Sequence, residues 1–161
     1  MLKTPQQGRR ELMAAGLLWA VTMRPVHAQL PSPGTPSNAL LADDLRQLIR
    51  RWSGDVLPRV GRVELDIAPL VENGNAVPIT IRVASPMSAA DHVREIIVFN
   101  ERNPHRDVLH CTLTPDSGRA EVSARIRLTT TQHLVALARM SDGSVWQHTV
   151  EVIVTLAACL E

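Results

Sequence analysis

Apolar residues recur at every second position along most of the chain. Val63, Leu65 and Ile67, for example, alternate with charged neighbours. Such a period of two predicts β-strands with one face buried and the other in water. Alternating or continuous apolar segments predict seven strands: residues 62–67, 79–83, 93–99, 108–113, 119–127, 134–140 and 145–156. The strand at 134–140 is apolar nearly throughout, as we expect of a central strand that is buried on both faces.

One segment ahead of the strands has the helical period instead. Its apolar residues fall on one face of a helix predicted over residues 37–54: Leu41, Leu45, Leu48, Ile49 and Trp52. We expect Ser37 or Asn38 to cap the start of this helix and Gly54 to end it. A stripe of this kind is more typical of a helix that docks on its own domain than of a membrane or cofactor surface.

Turn-forming residues separate the predicted strands. They occur at residues 72–75, 103–104, 115–118 and 141–144. Seven short strands with turns between them and no interleaved helices predict an all-β fold. We therefore expect an immunoglobulin-like antiparallel β-sandwich of about seven strands over residues 55–156. One N-terminal α-helix precedes this sandwich, and a short arm, residues 157–161, follows it.

The first 28 residues are typical of an export signal. Arg9 and Arg10 stand before an apolar run at residues 12–21, and a small-residue cleavage pattern ends at Ala28. The run is shorter than the roughly 20 residues that a bilayer-spanning helix needs. The twin arginine favours export to the periplasm by the twin-arginine route. A proline-rich leader is expected at residues 29–36, and an ordinary amphipathic helix is the alternative interpretation of the first 28 residues.

The charge balance limits the kinds of partner. Of 17 basic and 16 acidic residues in the chain of 161, four and one respectively lie in the predicted signal. The remaining 133 residues, enough for one domain, carry 13 basic and 15 acidic side chains. A net charge of −2 argues against nucleic acid and anionic membrane surfaces as partners.

The sequence carries none of the common motifs of catalysis or metal binding. Its serines lie outside any nucleophile elbow, no two carboxylates stand out as an acid and a base, and no glycine loop suits a phosphate. The histidines of the predicted domain lack metal-ligand spacing: His92, His105, His110, His133 and His148. We therefore predict no catalytic residue, no metal and no cofactor, and we do not expect an enzyme.

Two cysteines lie in the predicted mature chain. Cys111 shares a strand face with Leu109 and Leu113, so we expect it to be a buried small hydrophobe. Cys159 lies beyond the last strand, on the arm. It can form a disulfide with Cys111 in an oxidising compartment. It can equally be a free thiol on a flexible tail that carries a group covalently or forms mixed disulfides.

Several segments form a combination that is specific to one family. They read IAP at 67–69, VENGNAVPIT at 71–80, SPM at 85–87, ADHV at 90–93, NP at 103–104, SGRAEVS at 117–123, RIRL at 125–128 and MSDGS at 140–144. Together with the predicted export signal and the helix, they resemble SoxY. This family is the sulfur-carrier subunit of the periplasmic thiosulfate-oxidising (Sox) system, and the resemblance covers nearly the whole chain.

The resemblance implies a sandwich that binds a second sandwich subunit, SoxZ, and bears sulfur on the cysteine of an arm that reads Gly-Gly-Cys-Gly-Gly. That cysteine corresponds to Cys159. Ala157 and Ala158 replace the first two glycines, while Leu160 and Glu161 replace the last two. The arm resembles that of a SoxY-related group with the pattern Ala-Ala-Cys-aliphatic-Glu. Alanine restricts the arm, Leu160 adds bulk, and the carboxylate of Glu161 disfavours a thiolate at Cys159.

Two hypotheses follow. In the first, the protein is a non-enzymatic sulfur-carrier-like protein that uses Cys159 as the attachment point. It pairs with a SoxZ-like subunit and serves periplasmic sulfur-oxidising or other oxidoreductase clients. In the second, it is a periplasmic binding or structural module that a disulfide stabilises and that has lost the carrier role. An electron-transfer or metal-delivery sandwich would need a ligand cluster that the sequence does not offer.

Overall fold

The structure, a computed structural model, describes residues 41–159. Several sequence predictions therefore lie outside the described residues. These are the export signal at 1–28, the leader at 29–36, the helix caps Ser37 and Asn38, and the arm residues Leu160 and Glu161.

Two β-sheets form the body of the described chain. The strands are β1 Arg59–Val60, β2 Val63–Asp66, β3 Leu70–Val71, β4 Val77–Val83, β5 Val93–Asn100, β6 Asp107–Thr112, β7 Glu121–Ile126, β8 Gln132–Met140 and β9 Val145–Val154. The larger sheet has the order β1-β9-β8-β5-β6, with β3 also paired to β9, and the smaller sheet has the order β2-β4-β7. The predicted immunoglobulin-like sandwich is confirmed, and each of the seven predicted strands corresponds to an observed one.

Strands β1 and β3 were not predicted. Each has only two residues, and each pairs with β9 in parallel, so the sandwich is not purely antiparallel. A period of two cannot be recognised in two residues, which is why the sequence pattern did not reveal them. In β3, Leu70 lies opposite Ile153 and Val71 opposite Val154.

Strand β8 lies at the centre of the larger sheet and contributes to two apolar clusters. Leu134, Ala136, Ala138 and Met140 face the smaller sheet and belong to the main core. The intervening residues Val135 and Leu137 face the other way and belong to a second cluster. The prediction that this strand is buried on both faces is confirmed.

Helix α1, Asp43–Ser53, covers the outer face of the larger sheet. Leu45 and Ile49 are buried there in the second cluster, with Trp52 packed at its edge. Full burial of one such side chain stabilises the fold by about 1.5–3 kcal/mol. The predicted docking of the apolar stripe is therefore observed, although Leu48 is only half-buried.

The two ends of α1 differ in how well the sequence predicted them. Gly54 ends the helix with φ 66° and donates its N–H to the carbonyl oxygen of Arg50 at 2.8 Å, as expected. The helix begins at Asp43, later than the caps predicted at residues 37–38. At this end the N–H of Ala42 donates to the carboxylate of Glu101 at 3.1 Å. A distant side chain thus satisfies a donor that a local cap would otherwise serve.

Within residues 41–159 no helix has the length and apolar character needed to cross a bilayer.

Candidate functional site

The arm runs along the surface of the sandwich after β9. Leu156 and Ala157 are exposed, whereas the side chain of Ala158 is buried. The N–H of Ala158 donates to the carbonyl oxygen of Leu128 at 3.0 Å, and the N–H of Cys159 donates to Oδ1 of Asn75 at 3.1 Å. Up to Cys159 the arm is therefore a docked segment, where the sequence led us to expect a flexible tail.

Gly74 lies where the arm crosses the rest of the domain. Its N–H donates to the carbonyl oxygen of Leu156, and its own carbonyl oxygen accepts from the N–H of Leu128, both at 2.8 Å. A Cβ at this position would lie 2.1 Å from the carbonyl oxygen of Leu128 and 2.9 Å from the nitrogen of Ala158. Only glycine allows three backbone segments to approach so closely. The loop at residues 73–75 therefore fastens the arm.

The side chain of Asn73 shapes that loop. Its Oδ1 accepts from the backbone N–H of Asn75 at 2.9 Å and from Nδ2 of Asn75 at 3.0 Å. This is the hydrogen bonding of an Asx turn. Because the amide nitrogen of Asn75 is engaged in this way, Oδ1 of Asn75 is left to accept the N–H of Cys159.

Cys159 is exposed and lines a cleft of about 400 Å³. The cleft lies between the end of β7 and the start of β6, which are the edge strands of the two sheets. Its remaining lining residues are Asn103, Pro104, His105, Asp107, Val108, Arg125, Ile126 and Arg127. The candidate attachment cysteine thus faces a recess that holds two arginines, one histidine and one aspartate.

The two arginines of this cleft have no acidic partner among the described residues. Arg125 and Arg127 are exposed, and neither makes an ion pair or side-chain hydrogen bond with any residue in 41–159. His105 is also exposed, with no side-chain partner in the same range. Among residues 41–159, therefore, the two guanidinium groups beside the thiol have no ion-pair partner, and the carboxylate of Asp107 lies in the same cleft.

Two buried amides hold the wall of the cleft in place. Nδ2 of Asn103 donates to the carbonyl oxygen of Arg127 at 2.7 Å, and its Oδ1 accepts from Nε2 of Gln132 at 2.8 Å. Nδ2 of Asn100 donates to the carbonyl oxygen of His105 at 2.8 Å. Because both amides are buried and hydrogen-bonded, they fix the backbone that presents His105 and Arg127.

Cys111 is chemically different from Cys159. It lies on the edge strand β6 and is half-buried against the main core, less deeply than predicted because an edge strand has only one neighbour. Burial raises the pKa of the Cys111 thiol, and a hydrogen bond with the backbone of Ile96 opposes part of that effect. Both cysteines are free, so the predicted alternative of a disulfide between them is not formed in this structure.

The other histidines have structural partners. His148 Nδ1 lies 2.9 Å from the N–H of Leu65, and His110 Nε2 lies 2.6 Å from Oε1 of Glu95. His133 contacts Glu101 at 2.9 Å, and His92 contacts the carbonyl oxygen of Ser88 at 3.1 Å. Within residues 41–159 no three His, Cys, Asp or Glu side chains come together in a way that could hold a metal ion.

Sequence reasoning identified Cys159 and its flanks but missed the residues around them. Gly74 and Asn75 were interpreted only as a turn, and Arg125 and Arg127 only as the wet face of a strand. All four lie inside segments that carry the SoxY resemblance, at 71–80 and 125–128. That coincidence is the one signal in the sequence that could have pointed to them.

Comparison with known proteins agrees with the fold and identifies the family. The family described as sulfur oxidation protein SoxY matches residues 50–159. The structure of the sulfur carrier protein SoxY from Chlorobium limicola f thiosulfatophilum is 25% identical, with a TM-score of 0.58, and the match covers 70% of this chain and 96% of that chain. No curated protein matches the chain significantly.

Superoxide reductases are also similar in fold. The neelaredoxin from Ignicoccus hospitalis is 17% identical, with a TM-score of 0.52 over 58% of this chain and 80% of that chain. The superoxide reductase from Nanoarchaeum equitans is 12% identical, with a TM-score of 0.51 over 60% of this chain and 100% of that chain. At these identities the similarity concerns the fold alone.

Proposed function

This chain belongs to the SoxY family, and on that basis we propose that it is a non-enzymatic sulfur carrier that holds a sulfur intermediate covalently on Cys159. Client enzymes form and cleave the bond to sulfur, while this protein supplies the thiol and its surroundings. The observation that carries the proposal is the exposed, unpaired Cys159 at the end of an arm that lies over a recess. Cys111 is unsuited to the role because burial raises the pKa of its thiol.

Delivery to a client requires the arm to leave the surface. The hydrogen bonds made by Gly74, Ala158 and Cys159 hold it there. Because one such bond contributes a net of about 0.5–1.5 kcal/mol, release costs on the order of 2–4 kcal/mol. Contacts with a client can supply this free energy. We therefore infer that the protein alternates between a docked arm and an arm extended into a client.

The flanking residues affect which clients the arm can enter. Ala157 and Ala158 allow fewer backbone conformations than the glycines of the Gly-Gly-Cys-Gly-Gly arm. Leu160 and Glu161 add bulk and negative charge beyond the thiol. A client with a wider or more basic entrance than the standard Sox enzymes accommodates all four residues.

We also propose a SoxZ-like subunit as partner. Large apolar side chains are exposed near the base of the arm: Leu70 on β3 and Ile153 on β9, which lie opposite each other, and Leu156. Contiguous exposed apolar surface is typical of protein interfaces. Co-expression with a SoxZ-like subunit should yield a co-purifying pair. A chain that stays monomeric under those conditions contradicts this part of the proposal.

The expected compartment is the periplasm. It is supported by Arg9 and Arg10 ahead of a short apolar run in the sequence. Cell fractionation tests the route, since replacing both arginines with lysine should retain the protein in the cytoplasm. Export that continues unchanged in this double variant contradicts the twin-arginine route.

Intact-mass measurement tests the carrier role. Protein from the native host, purified without reductant, should carry an adduct that reductant removes. The adduct should be absent from Cys159→Ser and present in the matched variant Cys111→Ser. An adduct that persists in Cys159→Ser contradicts the proposal. The disulfide-stabilised module is favoured instead by a different result. In that case neither cysteine of the unfolded chain reacts with a thiol reagent until reductant is added, and the chain carries no adduct.

A further inference from the structure

We propose that Asn75 is a positioning residue for the attachment thiol. Its side chain is a latch that holds Cys159 at the surface and opens first when the arm leaves. The inference rests on the proposed carrier role and adds the residue that regulates it. Asn75 acts on the thiol through the backbone of Cys159, whose N–H donates to Oδ1 of Asn75 at 3.1 Å.

The first step of the argument is the kind of atom that holds each part of the arm. Four hydrogen bonds form a ladder between the segment ahead of β4 and the end of the chain. In order they join the N–H of Ile153 to the carbonyl oxygen of Pro69 at 2.8 Å, the N–H of Thr155 to that of Val71 at 3.0 Å, the N–H of Gly74 to that of Leu156 at 2.8 Å, and the N–H of Cys159 to Oδ1 of Asn75 at 3.1 Å. The first three bonds join backbone atoms, whereas the fourth has a side chain as its acceptor. A substitution at Asn75 can therefore remove the bond at the thiol-bearing residue and leave the backbone of the ladder in place.

The second step is the exposure of this last bond. Asn75 and Cys159 are both exposed, so water competes for the hydrogen bond between them. The preceding residue, Ala158, is buried, and its N–H is bonded to the carbonyl oxygen of Leu128 at 3.0 Å. Exposed hydrogen bonds open at a lower free energy than buried ones. Opening therefore begins at Cys159 while Ala158 still anchors the arm.

The third step is the orientation of the Asn75 side chain before the arm docks. Oδ1 of Asn73 accepts from the backbone N–H of Asn75 at 2.9 Å and from Nδ2 of Asn75 at 3.0 Å. Because Nδ2 is held in this way, docking of the arm need not order the side chain that receives it. Asn73 thus supports the latch, and it does so through Asn75.

A consequence concerns the size of what the thiol can react with. With the latch closed, Cys159 lines a cleft of about 400 Å³, which a small molecule can enter. A bulky reactant, such as the active site of a client protein, needs the latch to open. The latch therefore regulates delivery more strongly than it regulates reaction with small molecules.

Two thiol reagents of different size test the proposal. Iodoacetamide is small, and the thiolate of Cys159 displaces its iodide. A maleimide that carries a long polyethylene glycol chain is bulky, and the thiolate adds to its double bond. The measured quantity is the ratio of the bulky to the small rate constant, on the full protein with Cys111→Ser so that only Cys159 reacts. Because both reagents react with the thiolate, this ratio does not depend on how much of the thiol is ionised.

Asn75→Ala should raise this ratio by about two- to tenfold, the factor that the net free energy of one hydrogen bond represents. The matched control is Thr80→Ala, which removes an exposed side-chain hydrogen bond, to Ser123 at 2.9 Å, that does not involve the arm. The control should leave the ratio unchanged. A ratio that is the same in Asn75→Ala and in Thr80→Ala overturns the proposal.

Variants of Asn73 test whether it acts through Asn75. Asn73→Ala should raise the ratio, whereas Asn73→Asp keeps the acceptor oxygen and should retain the parental ratio. The double variant of Asn73→Ala with Asn75→Ala should match Asn75→Ala alone. A double variant in which the two effects multiply contradicts the support that Asn73 gives to the latch.

Hydrogen exchange tests the order of opening. The N–H of Cys159 should exchange faster than those of Thr155 and Ile153. Asn75→Ala should accelerate exchange at Cys159 and leave Ile153 unchanged. Equal acceleration at all three positions would show that the arm leaves as one unit, which overturns the latch.

These results are independent of the native-host test. A raised ratio in Asn75→Ala without a native adduct on Cys159 supports the latch and contradicts the carrier role. A native adduct with an unchanged ratio supports the carrier role and overturns the latch.

Discussion

The N–H of Leu128 donates to the carbonyl oxygen of Gly74 at 2.8 Å, and a methyl group on Gly74 would lie 2.1 Å from the carbonyl oxygen of Leu128. That same carbonyl oxygen accepts the N–H of Ala158. The contact between Gly74 and Leu128 is therefore the point at which the arm, the loop and the segment that follows β7 are joined.

Gly74→Ala should loosen this junction. The added Cβ meets backbone atoms rather than a flexible side chain, so the segments must separate, at a cost of about 2–4 kcal/mol in the free energy of unfolding. Urea unfolding measures the cost, and hydrogen exchange at the N–H of Ala158 measures the release of the arm.

Gly118→Ala is the control for that substitution. Gly118 has φ 68°, but no atom lies within 4 Å of the position that an added methyl group would take. Alanine there costs about 1 kcal/mol of backbone strain and should leave the arm protected. Equal hydrogen exchange at Ala158 in the two variants contradicts the proposed junction.

The two thiols should differ in reactivity. In reduced protein, iodoacetamide should alkylate Cys159 at least about tenfold faster than Cys111, because Cys159 is exposed while burial raises the pKa of Cys111. Peptide mass spectrometry after short labelling times gives both rates. Cys159→Ser should retain only the slow phase and Cys111→Ser only the fast one. Equal rates would show that the surroundings of Cys111 do not suppress its reactivity.

Glu101 should make the fold sensitive to acid. Burial alone would raise the pKa of its carboxyl, but hydrogen bonds from the His133 side chain and from the N–H groups of His133 and Ala42 outweigh burial and lower that pKa. A lowered folded-state pKa stabilises the fold above the unfolded-state value of about 4.3. This contribution is lost as the pH falls through the folded-state pKa.

Glu101→Gln tests the contribution of this carboxylate. At neutral pH it should lower the free energy of unfolding by about 1–3 kcal/mol, and the difference from the wild type should shrink below pH ~4. Thermal unfolding at a series of pH values gives both quantities. Glu64→Gln, at an exposed position on β2, is the control and should have little effect. A Glu101→Gln deficit that does not change with pH contradicts the assignment.

Helix α1 should depend on Leu45 more than on Leu48. Leu45 is fully buried against the larger sheet, so Leu45→Ala should cost about 2–5 kcal/mol, whereas the same change at half-buried Leu48 should cost clearly less. Denaturant unfolding of both variants provides the comparison. Equal costs would contradict the observed orientation of the helix.

The sequence patterns were sufficient to predict the elements in which the spacing of apolar residues repeats over several positions. The alternation in residues 63–67 and the stripe from Leu41 to Trp52 each correspond to a buried face, because burial imposes its period on the chain. Strand β3 is too short to show a period, and the start of α1 depends on Glu101, 59 residues away from Ala42.

The site was only partly predictable for the same reason. Cys159 stands out because of its place beyond the last strand, and the family resemblance supports it. Its anchor Asn75 is 84 residues away, a contact that no local pattern reveals. Likewise, Arg82 and Arg125 both occupy wet positions of strands, and only the fold determines that, within residues 41–159, the first is paired and the second free.

The most direct test of the account is the occupancy of Cys159 in the native host. Cells are lysed into an alkylating reagent, and a second, isotopically distinct reagent is added after reduction. We predict that Cys159 takes mainly the second label, because an adduct blocks it until reduction, while Cys111 takes the same label as it does in reduced recombinant protein. If Cys159 takes the first label as fully as reduced protein does, it carries nothing in the cell and the central claim is wrong.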